Sequence, residues 1–262
     1  MKELGGNIML FSIRIYAYAV ILVIGSLFTL QRAKRLYEKP STEETRESIF
    51  ATPQNVSMKV IKATGTEVHV TGREKIPDGA VLYVANHQGL FDILAFLGHL
   101  GKPVGFIAKQ EIKKLPIIRT WMGLLNCVFI DRSDRRQSMK AINQGIENLK
   151  QGSSLVIFPE GTRGKGTELS EFKPGSLRLA TKANVPIVPV TLNGTYQMLE
   201  AGNGRVKGST ITMTIHDPIF PSKYQELKSA ELAKELQEIV QSALPHIATT
   251  NEIDKELVTN TQ

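Results

Sequence analysis

Between Ala80 and Leu192 the chain returns repeatedly to short apolar runs of strand-forming character: "AVLYVA" (Ala80 to Ala85), "PVGFIAK" (Pro103 to Lys109), "CVFI", "SLVIFP" (Ser154 to Pro159) and "IVPVTL" (Ile187 to Leu192). The stretches between them carry helical spacing instead. An apolar helix is expected from Asp92 in "DILAFLGHL" and another in "LPIIRTWMGLLN". A third follows Met139, Ile142, Ile146 and Leu149 and stops at Gly152, and a fourth covers Gly175 to Ala183. Strands alternating with helices predict an α/β fold with a mixed central sheet flanked by helices, whose functional groups gather at the carboxyl ends of strands. "TITMTIHD" adds a later β run, and Ser229 to Ala243 a terminal helix with Leu232, Leu236, Ile239 and Val240 on its apolar face. Upstream, Arg46 to Gly79 reads as a linker followed by a hairpin-like β region that ends in the turn Pro77-Asp78-Gly79. The expected organisation is a membrane-anchoring segment and linker over 1–45, a main domain over 46–248, and a polar tail over 249–262.

The N-terminal run from Asn7 to Leu30 is apolar apart from Arg14, and its uncharged part, Ile15 to Leu30, is 16 residues long. A straightforward spanning helix needs roughly 20. Three readings stay open: a spanning helix with Arg14 reaching the headgroups, an interfacial or re-entrant helix that anchors without crossing, and a cleaved signal peptide. The last is disfavoured because "QRAKRLYEK" follows with no small-residue cleavage site. Arg32, Lys34 and Arg35 after the run outweigh Lys2 and Glu3 before it, which places the downstream domain on the cytoplasmic face of the cell membrane.

Composition removes several alternatives. At 262 residues and 42% apolar, the chain holds enough material for a packed domain. The lone Cys127 excludes an internal disulfide framework, and five scattered histidines in no metal-ligand spacing give no support to a metal site. The net charge of +7 is concentrated: nine Lys or Arg stand against three acids between Gly101 and Lys140. Such a block is either a solvated basic face or an attractor of an anionic substrate or bilayer surface. With aromatics at 6% and no nucleic-acid motif, nucleic acid is not an expected partner.

Three constellations fall at strand ends. In "YVANHQGLFD", Asp92 stands five residues after His87. On one regular helix such a pair sits about 140° apart, so the two meet only if His87 leaves a strand and Asp92 enters a helix across a turn at Gly89. "FIDR" sets Asp131 and Arg132 after an apolar strand, and "FPEGTR" sets Glu160, Gly161, Thr162 and Arg163 after another. The first is otherwise a packed histidine with an acid nearby by chance, and the last alone is equally an ordinary strand-to-loop turn with an exposed ion pair. An arginine beside a glycine turn also suits phosphate, whose oxygens match its planar fork. No Gly-x-Ser-x-Gly elbow occurs, and "GTRGKGT" fails the phosphate-loop spacing. A histidine base without a protein nucleophile fits a reaction whose substrate supplies the nucleophile, such as an alcohol attacking an activated acyl group.

The ordered set "NHQGLFD", "VFIDR", "FPEGTR" and "VPIVPV" (Val185 to Val190) resembles the four motif blocks of the glycerolipid acyltransferases, in particular bacterial members that acylate 1-acylglycerol 3-phosphate. The resemblance covers about Val81 to Leu192, and "FKPGSLRLA" is similar to the segment that follows the third block. It implies that His87 is the base for the sn-2 hydroxyl of lysophosphatidic acid and that Asp92 orients it. It further implies an acyl-CoA or acyl carrier protein thioester as donor, phosphatidic acid as product, and no metal or redox cofactor. Glu160, Gly161, Thr162 and Arg163 would form the glycerol-phosphate pocket, with Lys109 on the same phosphate and Arg132 assisting or else paired with Asp131. The same chemistry on another acceptor, a thioesterase, and a non-catalytic binder of anionic lipid are the competing functions. Where the family often has glycine, this chain has Arg119 and Asn126, and Gly164 stands where serine is common.

Overall fold

The computed structural model describes residues 2–131, 133–164, 166 and 169–245; Arg132 and the expected tail lie outside them. Its strands are β1 (Glu67–Thr71), β2 (Leu82–Ala85), β3 (Gly105–Lys109), β4 (Val128–Ile130), β5 (Leu155–Ile157), β6 (Ile187–Asn193) and β7 (Thr210–Ile215). They form one sheet in the order β1-β7-β6-β2-β5-β3-β4, with every neighbouring pair parallel except β6 and β7. The sheet is therefore mixed, as expected. The helices are α1 (Lys2–Gly25), α2 (Leu27–Tyr37), α3 (Glu43–Ala63), α4 (Phe91–His99), α5 (Pro116–Leu124), α6 (Arg135–Lys150), α7 (Arg178–Ala183), α8 (Thr195–Met198), α9 (Pro221–Tyr224) and α10 (Ser229–Ser242).

The pleat sorts neighbouring side chains into two apolar layers. Tyr83, Ala85, Phe106, Val156 and Val188 pack on one face with Val60 and Ile61 of α3 and Phe96 of α4. Leu82, Val84, Ile107, Leu155 and Ile187 pack on the other with Leu149 of α6, Leu179 of α7 and Leu236 of α10. Central strands buried on both faces must be apolar throughout, which is why the runs do not alternate with polar residues. Each buried Val, Leu, Ile or Phe among them stabilises the fold by about 1.5–3 kcal/mol.

Two upstream expectations are corrected. The stretch from Arg46 is not a linker: it belongs to α3, which runs through the expected domain boundary. Thr42 and Thr45 form a capping box and Glu43 and Glu44 favour the positive helix end, while Pro53 inside the helix obscures the signal. Nor does a hairpin follow. β1 pairs in parallel with β7, Glu67 opposite Thr210, so its partner lies far along the chain and leaves no local turn signal.

The apolar N-terminus is also two helices, parted at Ser26, whose hydroxyl bonds Val23 O and accepts from Trp121 Nε1 at 2.8 Å. Ile8–Gly25 is, among the described residues, the one segment long and apolar enough to cross a membrane by length and composition. One stripe of α1 is docked: Tyr16 Oη donates to Gly204 O at 2.9 Å and Ser12 Oγ accepts from Val206 N at 2.9 Å. Met9, Leu10, Ile13, Val20, Ile21 and Ile24 on the rest of the helix are exposed. The departure at Asn126 is absorbed by backbone: this residue takes a left-handed φ of 55°, which asparagine tolerates, in the turn before β4.

Candidate active site

His87 leaves β2 and Asp92 enters the first turn of α4, the strand-turn-helix arrangement the spacing requires. His87 Nδ1 lies 2.7 Å from Asp92 Oδ2. Asp92 is fully buried, yet its charge is well provided for: Oδ2 also accepts from Gln88 N at 2.7 Å and Gly89 N at 2.8 Å, and Oδ1 accepts from the Thr195 hydroxyl. An aspartate on Nδ1 keeps the imidazole proton there and leaves Nε2 as the basic nitrogen. The ring stacks on Phe158 at 4.2 Å between centroids and 14° between planes, which fixes its orientation while its side chain keeps 19% exposure.

Because β2, β5 and β3 are parallel neighbours, the residues after them emerge at one edge of the sheet. This brings His87, the Glu160–Arg163 turn and Lys109 together on the carboxyl side. The turn after β5 is strapped to the histidine: Glu160 Oε1 accepts from His87 N at 2.8 Å, Oε2 accepts from Ser170 N at 2.9 Å, and Gly164 N donates to His87 O at 2.7 Å. Gly161 turns the chain with φ at 76°. Glu160 is buried, and burial raises its pKa above the ordinary glutamate value while the N–H donors of Ser170 and His87 pull it back. Both its oxygens are committed to backbone, so it braces the turn. Thr162, Arg163 and Lys109 are exposed. Asp131, after β4, is held by Gln110 and Ser133, and its hydrogen bonds with Ser133 draw its pKa below the ordinary value.

Sequence reasoning missed Thr195, Gln88, Asn86 and Glu200 as parts of this site. Thr195 arrives from beyond β6, where Gly194 takes φ 98° with its Cα so close to Thr210 that a Cβ would stand 2.1 Å from the carbonyl oxygen. The dipeptide Gly194-Thr195 was the available signal. Asn86 bonds β6 through both ends of its amide, to Leu192 O at 2.7 Å and from Leu192 N at 2.8 Å. An apolar cavity of about 310 Å³ starts at Leu90, three residues after His87. Leu90, Ile93, Leu94 and Leu97 line it at helical spacing along α4, facing residues of α1, α3 and α5.

A buried carboxylate holding a histidine at a sheet's carboxyl edge, with an exposed arginine on the neighbouring turn and an apolar cavity starting at Leu90, is an arrangement that suits acyl transfer. The family model that matches the chain, over residues 67–193, is named Acyltransferase. A Mycoplasma pneumoniae protein named as a probable 1-acyl-sn-glycerol-3-phosphate acyltransferase is 30% identical over 250 residues, 89% of this chain and 94% of that one. A 1-acyl-sn-glycerol-3-phosphate acyltransferase of Chlamydomonas reinhardtii is 36% identical over 68% of this chain, which spans about half (53%) of that longer relative. The crystal structure of the 1-acyl-sn-glycerophosphate acyltransferase PlsC of Thermotoga maritima superposes with a TM-score of 0.78 at 31% identity, covering 92% of this chain and 95% of that one. The chain belongs to the 1-acyl-sn-glycerol-3-phosphate acyltransferase family.

Proposed function

We propose that the chain transfers a fatty acyl group from a thioester, acyl-CoA or acyl carrier protein, to the sn-2 hydroxyl of 1-acylglycerol 3-phosphate, giving phosphatidic acid. The observation that carries this reading is the His87–Asp92 pair, with Arg163 on the turn strapped to the histidine and an apolar cavity that starts at Leu90. One end of such an acceptor and the acyl chain of the donor are apolar, and the other end of the acceptor is a phosphate monoester. His87 Nε2 takes the hydroxyl proton as the oxygen attacks the thioester carbonyl. Asp92 stabilises the imidazolium, the C–S bond breaks as the ester C–O bond is completed, and the proton passes to the departing sulfur. Arg163 and Lys109 hold the phosphate, with Arg132 assisting, Gly161 and Thr162 shape the turn around it, and the cavity takes an acyl chain. Glu160 acts through His87 and the turn, because a carboxylate bound to two N–H groups has no donor to offer a phosphate. A thioester is already activated, so no metal or redox cofactor is required.

The same reading places α1 in a bilayer surface. A helix tied along one side to Gly204 and Val206 lies against the domain, and its exposed apolar side, continued by Phe28 at 93% exposure, suits the headgroup boundary. Arg32, Lys34 and Arg35 favour the anionic cytoplasmic face.

Thiol release from palmitoyl-CoA by the full chain in detergent or vesicles, with and without lysophosphatidic acid, tests the function. Acceptor-dependent release that disappears in His87→Ala and needs far more acceptor in Arg163→Ala is expected. Release that ignores the acceptor, or normal turnover by His87→Ala, overturns it.

A further inference from the structure

The phosphate-side arginine has a counter-ion that lies outside all four motif blocks. Glu200, beyond α8, reaches back to the turn before α4: its Oε1 accepts from Leu90 N at 2.9 Å and stands 3.4 Å from Nη1 of Arg163. Its Oε2 is shut off from solvent with no hydrogen-bond partner. That oxygen also sits so close to Gly89 that a Cβ there would be 2.1 Å away. The glutamate side chain is 15% exposed and the arginine 53%, so the carboxylate is the fixed member of the pair and the guanidinium the one free to turn.

A long, single-oxygen contact to a half-exposed guanidinium contributes little. A phosphate offers the same planar fork two oxygens at once. We propose that Glu200 is the resting counter-ion of Arg163, that the guanidinium turns from it to the acceptor's phosphate when the acceptor binds, and that Glu200 sets the anion affinity of the site. This deepens the acceptor reading above and rests on Arg163 holding phosphate. Substrate and product carry the same phosphate monoester, so a cationic site with no opponent would retain the product as firmly as it captures the acceptor. A built-in carboxylate weakens both and favours exchange.

The sign of the effect separates this role from a structural one: removing the charge tightens anion binding. Glu200→Gln keeps an oxygen for Leu90 N and removes only the charge. With wild type, Glu200→Gln, Arg163→Ala and the double variant, the acceptor KM and the inhibition constant of inorganic phosphate are measured together. Glu200→Gln is expected to lower both by about two- to fivefold, Arg163→Ala to raise both, and the Gln substitution to change nothing when Arg163 is absent. Constants that rise or stay put in Glu200→Gln while Arg163→Ala raises them overturn the counter-ion role alone. An equal fall in the Arg163→Ala background overturns the pairing, and an Arg163→Ala protein with unchanged constants overturns the acceptor reading beneath it.

Discussion

Glu160→Gln is the sharpest test of how the site is held. The native carboxylate has its two oxygens on two backbone donors, His87 N at 2.8 Å and Ser170 N at 2.9 Å, in a position only 2% exposed. An amide of the same shape has one oxygen and one NH₂, so either way round one of those N–H groups faces another donor. Leaving a buried N–H without a partner costs about 1–3 kcal/mol, and the surviving bond loses its charge assistance. Against this, the neutral amide escapes the desolvation that raises the Glu160 pKa. We expect a net loss of about 1–2 kcal/mol, which in a domain of this size lowers Tm by about 2–8 °C. A lower kcat accompanies it, since one of the two bonds fixes the His87 backbone and the other the turn strapped to it. The pH dependence has a definite sign. With its pKa raised on folding, Glu160 contributes stability that is fully present below the unfolded carboxylate value and lost as pH rises through the folded one, so the Tm gap to the variant narrows as pH rises from about 4. Thermal melts across that range, with kcat alongside, read all of this. A variant that melts at or above wild type with unchanged kcat would refute the bracing role.

Thr195→Val removes the hydroxyl that donates to Asp92 Oδ1 and should lower kcat about tenfold, whereas Thr195→Ser, which keeps the hydroxyl, should recover most of it; equal losses in both would point to packing alone. Leu97, on the cavity stripe of α4, lies seven residues, about 10 Å, along the helix from Leu90, where the cavity starts. Leu97→Trp should therefore shift donor preference in an acyl-chain-length series toward shorter chains, and an unaltered chain-length profile would show that the cavity does not hold the acyl group. Burial pushes the Cys127 thiol up to about 12, so iodoacetamide at neutral pH should leave the native protein unlabelled and active. Labelling as fast as that of a free thiol would contradict this.

The His87–Asp92 pair was legible because its parts are local: a strand exit, a turn and a helix start lie within ten residues, and only one backbone path joins them. The order of the central strands' residues was legible for the same reason, since burial on both faces leaves a continuous apolar run. Thr195 and Glu200 were not, because more than a hundred positions separate them from His87 and β6 alone brings them near. Glu160 was assigned to the phosphate pocket by resemblance alone; that both its oxygens serve backbone N–H groups is a matter of three-dimensional placement. α3 was hidden by Pro53, and the partner of β1 by the length of chain between them.

The Asn86 amide has one more consequence. β2 ends at Ala85, opposite Val190, and the next rung toward Leu192 is made by the asparagine side chain in place of a strand residue. The turn that carries His87 is thereby stitched to a fully buried rung of β6. The Leu192 amide hydrogen should exchange with solvent only at the rate of global opening, and His87 should share that cooperative unit. Breathing of the base is then not a route for lipid to enter or leave. The traffic must pass through elements outside that unit, so turnover and unfolding are governed by different parts of the same small domain.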